Sequence, residues 1–252
     1  MEHNDSIISQ FSLQAVPFAE LPGHSQSLDM LVQFSGVCAR DTVLDVACGP
    51  GIVACEFAKH AAHVTGLDLT PTMIEEAVKR QQEQNLTNMS WHIGDVLPLP
   101  FPNAHFSCVV MRYSFHHFLD PMAVLLEMVR VCKPDGRVMV VDAVLPSEKI
   151  HAYNRMELLR DPSHTKALSF EEMAAVFGAS GLTGIRTGRY KVEMELEQQL
   201  AASFPLSGDK DKLRQMFQSD IGKDAMGVGV HRMGNEIRFA YPILVTVGRK
   251  VG

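Results

Sequence analysis

The stretch that decides the fold of this chain runs from residue 42 to residue 70. It opens with Thr-Val-Leu-Asp-Val-Ala-Cys-Gly-Pro-Gly (42–51) and closes with Thr-Gly-Leu-Asp-Leu-Thr (65–70). An apolar strand enters a glycine turn here, and a helix and a second short strand then lead to one acid, Asp68. Turn glycines let the backbone approach a ligand closely, and an acid at the next strand end can hold two ribose hydroxyls. This pattern predicts a nucleoside pocket at the carboxyl ends of the first two strands of an open α/β sheet.

Strands and helices alternate outward from this stretch. Apolar runs predict strands at 43–46, 64–67, 89–93, 106–111, 137–142, 185–194 and 237–247. Helical spacing and start signals predict helices at 51–60, 70–85, from 120 onward, and at 148–160, 169–181 and 209–220. Such alternation predicts an α/β fold with a doubly wound, mostly parallel, seven-stranded sheet.

Local signals set several boundaries. Thr70 is expected to cap the helix that starts at Pro71, and Ser169 to open its helix with a capping box. Residues 134–136 are expected to form a turn, and the glycines between 222 and 234 predict a mobile loop. Further toward the N-terminus, 23–36 predicts an amphipathic helix and 11–21 a short helix or loop.

Composition argues against several classes of protein. The net charge of -6 gives no electrostatic reason to bind nucleic acid or an anionic membrane. The polar, acidic N-terminus does not resemble a signal or transit peptide, and no apolar run approaches the roughly 20 residues that span a bilayer. We therefore expect a soluble, cytoplasmic protein. The 5 cysteines are odd in number and form no Cys-x-x-Cys pair, which indicates buried thiols rather than a metal site.

The acid before the glycine turn, Asp45, bears on which nucleoside cofactor binds. Residues 49–54 also fit the loose Gly-x-Gly-x-x-Gly/Ala pattern of a dinucleotide site. A pyrophosphate, however, prefers backbone N–H groups without a carboxylate nearby. S-adenosylmethionine carries a sulfonium and an ammonium group and no phosphate, so the carboxylate of Asp45 favours it. A nicotinamide-dependent oxidoreductase is the alternative within the enzymes.

Four segments together resemble the class I S-adenosylmethionine-dependent methyltransferases, in particular the group that includes the ubiquinone and menaquinone C-methyltransferases. In chain order they are Val-Leu-Asp-Val-Ala-Cys-Gly-Pro-Gly (43–51), Gly-Leu-Asp-Leu (66–69), Gly-Asp-Val with Leu-Pro-Phe (94–101), and Phe-Ser-Cys-Val-Val running into His-His-Phe (106–118). The resemblance covers about residues 40–145. Ala47 stands where the family usually has the first glycine of the turn.

The resemblance implies a Rossmann-like fold, S-adenosylmethionine as the methyl donor and S-adenosylhomocysteine as the product. It implies that Asp45 faces the methionine part, that Asp68 takes both ribose hydroxyls, and that Asp95 accepts from the adenine amino group. The expected cofactor-binding residues are Asp45, Ala47, Gly49, Gly51, Asp68, Leu69, Met73, Gly94, Asp95, Val96, Met111, Arg112 and His116.

The resemblance also divides the chain, which we expect to be a single domain over residues 1–252. An N-terminal helical lid (1–40) precedes the cofactor-binding core (41–146). A helical insert that covers the substrate (147–181) and the C-terminal strands and helix that complete the sheet (182–252) follow. Phe11 and Phe18 are expected to form an apolar wall of the lid, with ordinary packing on the sheet edge as the alternative.

Histidines are the candidate bases, because the pKa of imidazole lies near neutrality. His116 and His117 follow the fourth strand, where the alternative is a role in packing or in starting a helix. Arg160 and His164 lie in the insert after strand five, where the alternative is a solvated helix end. Tyr113 and Phe115 can sandwich a planar substrate, or belong to the core. The expected catalytic residues are His116, His117, His164 and Arg160.

We therefore predict an S-adenosylmethionine-dependent methyltransferase that acts on a small aromatic or heterocyclic metabolite at O, N or C. Methyl transfer is an in-line displacement, and a histidine base assists it. Residues 112–115 read Arg-Tyr-Ser-Phe, unlike the Asn/Asp-Pro-Pro-aromatic motif of nucleic-acid amine methyltransferases. We expect no nucleic acid, membrane or metal partner, and a monomer or homodimer. The alternative from another class is a protein that binds the cofactor without turnover.

Overall fold

The computed structural model describes residues 2–20 and 27–252. Its strands are β1 (Thr42–Val46), β2 (His63–Asp68), β3 (Met89–Ile93), β4 (Phe106–Arg112), β5 (Cys132–Leu145), β6 (Leu168–Ser169), β7 (Leu182–Glu195), β8 (His231–Met233) and β9 (Glu236–Lys250). Its helices are α1 (Glu2–Glu20), α2 (Leu28–Ser35), α3 (Ile52–Ala58), α4 (Pro71–Glu83), α5 (Pro121–Val131), α6 (Ser147–Arg160), α7 (Phe170–Ala179), α8 (Leu196–Ala201) and α9 (Asp209–Asp220). A short 3-10 turn, Phe115–His117, follows β4.

The strands of the described residues form one sheet in the order β3-β2-β1-β4-β5-β9-β7, with β6 beside β5 and β8 beside β9. The strands from β3 to β5 are parallel, and β9 is antiparallel to both of its long neighbours. The predicted doubly wound, mostly parallel sheet with a Rossmann-like arrangement is therefore confirmed. The strand order reverses between β1 and β4, which is where open α/β sheets bind their ligands.

The inner strands are buried on both faces, as parallel strands covered by helices must be. Leu44 of β1 and Val109 of β4 belong to the hydrophobic cluster on one face, together with Leu125 of α5. Their neighbours Val43 and Val110 belong to the cluster on the other face. The alternation of side chains along a strand thus gives each face of the sheet its own core.

Several predicted boundaries agree with the structure, and β3 and α9 have the predicted bounds. The capping box is confirmed, because the Ser169 hydroxyl accepts from the Glu172 N–H while the Glu172 carboxylate accepts from the Ser169 N–H. Helix α4 begins at Pro71 with Thr70 at the N-cap position, as predicted, but the Thr70 side chain does not supply the expected cap. Its hydroxyl makes no capping bond, and the Thr70 N–H instead donates to Asp68 Oδ1 at 2.9 Å.

The predicted turn at 134–136 is strand in the structure, and the predicted glycine-rich loop contains one short strand. Residues 134–136 lie inside β5. The register of β5 against β4 shifts there, because Phe106 pairs with Cys132 while Cys108 pairs with Arg137, and the Pro-Asp-Gly sequence lies in the resulting bulge. The glycine-rich segment contains β8, which pairs with the start of β9 from His231 opposite Arg238. Helix α8 and the short strand β6 were not predicted.

The N-terminal region is more helical than its sequence pattern indicates. Helix α1 has 19 residues and includes Pro17, where the sequence predicted only a short helix or a loop. Helix α2 falls within the predicted range, whose first residues, 23–26, lie outside the described residues. None of the helices described here is long and apolar enough to cross a membrane.

Candidate active site

A cavity of about 250 Å³ lies at the point where the strand order reverses, at the carboxyl ends of β1, β2 and β4. Its location agrees with the nucleoside pocket that the sequence predicts. The predicted cofactor-binding residues that line it are Asp45, Ala47, Gly49, Asp68, Leu69, Met73, Asp95, Val96 and Arg112.

Four predicted contacts are absent from the lining of this cavity. Gly51 has φ +72°, and a Cβ there would lie 2.9 Å from the Ala77 Cβ, so the absence of a side chain lets α4 pack against the turn. The N–H of Gly94 donates to the Asp68 carbonyl. Met111 is fully buried in the hydrophobic core. His116 lines a neighbouring cavity instead.

One carboxyl oxygen of Asp45, Oδ2, is buried without a hydrogen-bond partner among the described residues. The side chain is 1% exposed. Burial raises the pKa of Asp45 to about 8, although a backbone hydrogen bond from Ala54 and the charge of Arg112 oppose the rise. A cationic ligand in the cavity can supply the partner that this carboxyl group lacks.

Asp68 is fixed to the glycine turn. Its Oδ2 accepts from the Gly49 N–H at 2.8 Å, and its Oδ1 accepts from the Thr70 N–H at 2.9 Å. Burial raises the pKa of this carboxyl group against those hydrogen bonds. Each carboxylate oxygen has a second lone pair, so Asp68 retains the capacity to accept from a ligand hydroxyl.

Helix α1 covers the cavity. Its residues His3, Ile7 and Phe11 line it at a spacing of four residues, a helical pattern that the sequence analysis missed. The Asn4 amide donates to Asp95 Oδ2 at 2.6 Å, and His3 Nε2 donates to the His117 carbonyl at 2.7 Å. The side chain of Phe18, the other expected wall residue, lies outside the described residues.

A second, smaller cavity of about 70 Å³ adjoins the first. The two cavities share Phe11, Tyr113 and His117 as lining residues. Tyr113 has φ +57°, an uncommon backbone conformation for a bulky residue. Strained residues of this kind are frequent at functional sites. The smaller cavity also contains polar residues that the sequence analysis did not select, namely Gln14, Asp142, Tyr153, Glu157, Gln199 and Tyr241.

His116 and Asp142 form a buried pair in the wall of the smaller cavity. His116 Nδ1 lies 2.7 Å from Asp142 Oδ1, and the His116 N–H donates to Asp142 Oδ2 at 3.2 Å. Burial alone would lower the pKa of His116, but the charge and hydrogen bond of Asp142 outweigh burial and raise it. The ring nitrogen that Asp142 does not hold, Nε2, is the one able to exchange a proton with a ligand.

Burial lowers the pKa of the other two candidate histidines, His117 and His164. His117 donates from Nδ1 to the Ser163 carbonyl at 3.0 Å, and burial lowers its pKa to about 4. His164 lines neither cavity, and its Nε2 lies 2.7 Å from Asn154 Oδ1. Burial and the charge of His116 lower the pKa of His164 to about 3. The centroid of its ring lies 5.3 Å from that of His116.

Arg160 belongs to a buried ion network, not to a solvated helix end. Its Nη2 lies 2.6 Å from Glu157 Oε2, and its Nη1 lies 4.0 Å from Asp161 Oδ2. The Tyr241 hydroxyl donates to Glu157 Oε1 at 3.1 Å. Burial raises the pKa of Glu157, but the charge and hydrogen bond of Arg160 outweigh it and keep the group ionised. No group of three or more His, Cys, Asp or Glu side chains in the described residues is arranged to hold a metal ion.

Comparison with known proteins agrees with this geometry. Residues 43–136 match the family described as a methyltransferase domain. The chain is 28% identical over 229 residues to the uncharacterized methyltransferase YcgJ of Bacillus subtilis (strain 168), a match that covers 89% of this chain and 90% of that protein. The crystal structure of YcgJ covers 90% of this chain and 98% of its own, with a TM-score of 0.82 and 26% identity.

The chain is also similar to a quinone methyltransferase, over a shorter part of its length. The ubiquinone/menaquinone biosynthesis C-methyltransferase of Ruegeria sp. (strain TM1040) is 36% identical over 110 residues, which cover 42% of this chain and 44% of that protein. The match therefore spans less than half of that relative.

Fold and site define a Rossmann-like α/β protein with a nucleoside pocket at the strand-order reversal. Together with the relatives, they identify the chain as a class I S-adenosylmethionine-dependent methyltransferase. This identification sets aside the nicotinamide-dependent oxidoreductase.

Proposed function

We propose that this enzyme methylates a small, uncharged aromatic or heterocyclic metabolite, which binds in the smaller cavity. One observation carries the proposal. The two cavities share Phe11, Tyr113 and His117, and the smaller cavity contains the paired His116 and Asp142. A donor site thus adjoins a site that holds a histidine able to take a proton.

The residues of the larger cavity fit S-adenosylmethionine. The unpartnered Asp45 oxygen suits the cationic methionine part of the cofactor. Asp68 is held where its remaining lone pairs can accept from ribose hydroxyls. Asp95 already accepts from an amide NH₂ group, that of Asn4, and the adenine amino group is a donor of the same kind. A pyrophosphate would meet all three carboxyl groups, which argues against a dinucleotide.

When bound, S-adenosylmethionine supplies a methyl group on a sulfonium sulfur, and S-adenosylhomocysteine is the second product. The residues of the chain position the acceptor and manage its proton. His116 Nε2 accepts the proton of the acceptor hydroxyl, amine or acidic carbon, while Asp142 holds Nδ1 and stabilises the imidazolium that forms. Helix α1 excludes water from the larger cavity.

Two features support a planar acceptor. Aromatic side chains line the smaller cavity, and the rings of Tyr153 and Tyr241 meet edge to face with centroids 6.4 Å apart. The Ruegeria relative is named for methylation at carbon of ubiquinone and menaquinone precursors, which are ring compounds. The cavity of about 70 Å³ limits the part of the acceptor that enters it to a small group or ring.

The proposal is tested by incubating the protein with S-adenosylmethionine that carries an isotopic methyl label and a panel of phenols, hydroxylated heterocycles, quinols and amines. Mass spectrometry should detect labelled product from at least one of the ring compounds, with one S-adenosylhomocysteine per product. His116→Gln should lose about 100-fold or more of this turnover, because it removes the base, while cofactor affinity stays unchanged.

The outcomes separate the proposal from its alternative. Tight binding of S-adenosylmethionine with no labelled product across the panel would instead favour a protein that binds the cofactor without turnover. Labelling that is as fast in His116→Gln as in the parent would remove His116 from the reaction.

A further inference from the structure

Gln199 of α8 is the polar group of the smaller cavity that stands out, because its Oε1 has no hydrogen-bond partner among the described residues. The residue is only 7% exposed, so bulk water does not replace the partner. An unsatisfied buried amide is costly, and one in a cavity wall can gain its missing partner from a ligand. The amide can also rotate and present its NH₂ group instead of its oxygen.

The charged groups of this cavity are, in contrast, already satisfied by each other. Both Glu157 oxygens have donors, from Arg160 and from the Tyr241 hydroxyl. Asp161 Oδ1 accepts from the N–H and the hydroxyl of Ser163, and its Oδ2 accepts from Gln14 Nε2 at 3.2 Å.

Both carboxylate oxygens of Asp142 also have donors within the protein. Its Oδ1 accepts from His116 Nδ1 and the Ala143 N–H, and its Oδ2 accepts from the His116 N–H. Every carboxylate oxygen in the wall therefore has a protein donor. The three carboxylates are paired with His116 and Arg160 in the same wall, so a ligand that carries a full charge of either sign would lose its hydration without gaining an unpaired opposite charge.

We infer that Gln199 determines acceptor specificity, selecting a neutral molecule whose own amide, lactam or carbonyl group pairs with the Gln199 amide. The inference rests on the proposed function, because it places the methyl acceptor in the smaller cavity. Gln199 orients the acceptor through one polar group while His116 meets the group that is methylated. A site built to pair with a polar group discriminates strongly against molecules that lack it.

Three compounds of matched size test this charge selection. They are 4-hydroxybenzamide, which is neutral, 4-hydroxybenzoate, which is an anion, and 4-hydroxybenzylamine, which is a cation. Isothermal titration calorimetry measures the binding of each to the full chain saturated with S-adenosylhomocysteine. We expect 4-hydroxybenzamide to bind roughly ten-fold more tightly than either charged compound, the effect of about one hydrogen bond made or lost.

Two variants isolate the amide. Gln199→Met removes the amide at similar size, and Gln198→Met changes the exposed neighbour on the same helix. Gln199→Met should bind 4-hydroxybenzamide roughly ten-fold more weakly than the parent, and Gln198→Met should not. Affinity for S-adenosylhomocysteine should be unchanged in both variants, and the melting temperature should fall in neither, which excludes a general loss of structure.

Several results would overturn the inference. They are equal or tighter binding of a charged compound, undiminished binding of 4-hydroxybenzamide by Gln199→Met, or no binding of any of the three compounds. If any of these accompanies labelled product in the acceptor screen, only the specificity role of Gln199 fails. If the parent does not bind S-adenosylhomocysteine at all, the proposed function fails and takes this inference with it.

Discussion

The imidazole of His116 and the carboxylate of Asp142 lie 2.7 Å apart, joining the turn after β4 to the end of β5. The pKa of His116 is raised by this pair beyond what burial takes away. A base works only in its neutral form, so turnover should fall as the pH drops through a value above the ordinary histidine pKa of about 6.5.

Asp142→Asn should move that fall to lower pH, because it removes the charge that raises the pKa of His116. The variant should also lose about 100-fold in kcat/KM, since the amide holds the ring in the wrong tautomer. Values of kcat/KM measured between pH 5 and pH 9 for the parent and for Asp142→Asn test both expectations. Glu56→Gln is the matched control, because Glu56 lies 3.8 Å from the exposed His60 outside both cavities. An unshifted profile in Asp142→Asn would contradict the assignment.

Cofactor binding should release a proton near pH 7. Burial raises the pKa of Asp45 to about 8, so this group is largely protonated in the free protein at neutrality. A cation beside it favours the ionised form, and the proton leaves. Calorimetry of S-adenosylmethionine binding in buffers with different ionisation enthalpies measures the release. It should approach one proton at pH 7 and vanish both at pH 9.5 and in Asp45→Asn. A release that persists in Asp45→Asn would assign the proton to another group.

Asp68→Asn should weaken S-adenosylmethionine binding by about 10- to 100-fold, because hydrogen bonds to a charged group contribute about 1.5–3 kcal/mol. The asparagine oxygen can still accept one of the two backbone N–H groups that Asp68 now satisfies. Calorimetry gives the affinity, and a melting curve reports the fold. Glu75→Gln, an exposed change on α4, serves as the control. Wild-type affinity in a folded Asp68→Asn protein would exclude the ribose contact.

Acid should destabilise the fold through its buried neutral histidines. Burial lowers the pKa of His164 to about 3, whereas the unfolded residue has a pKa of about 6.5. Below pH 6.5 the unfolded state binds the proton and the folded state does not, so the stability that His164 contributes at neutral pH is lost as the pH falls toward 3. Between pH 7 and pH 5 the loss is about 2 kcal/mol.

Urea unfolding at the two pH values tests this prediction. His164→Gln should lose less stability between pH 7 and pH 5 than the parent does, while His60→Gln, at an exposed position, should match the parent. Equal losses in the parent and His164→Gln would mean that His164 takes up its proton without cost to the fold.

Much of the fold could be predicted from local sequence signals. The three acids of the larger cavity, Asp45, Asp68 and Asp95, lie at or just after the carboxyl ends of the first three strands, a spacing that the sequence shows directly. The bounds of β3 and the capping box of Ser169 likewise depend on neighbouring residues alone. Where the prediction was wrong, pairing with a distant strand determined the secondary structure. The glycines near β8 favour a loop, and most of that segment is irregular, but the pairing with β9 makes His231–Met233 a strand.

The smaller cavity was beyond sequence reasoning because its wall comes from distant parts of the chain. Gln14 belongs to α1, Gln199 to the unpredicted α8, and Tyr241 to β9. None of them stands in a motif, and only the folded chain brings them together. The burial that lowers the pKa of His164 could likewise not be inferred from the sequence.

Helix α1 has a kinetic consequence. Asn4 holds it to Asp95 at the larger cavity, and Gln14 holds it to Asp161 at the smaller one. These anchors are ten residues apart on one helix, or about 15 Å along its axis. Under the proposed function, Asn4 leaves Asp95 when adenine takes its place, and a movement of α1 as one body would also break the contact of Gln14 with Asp161. We therefore expect S-adenosylhomocysteine and the methylated product to depart at a common rate set by the helix.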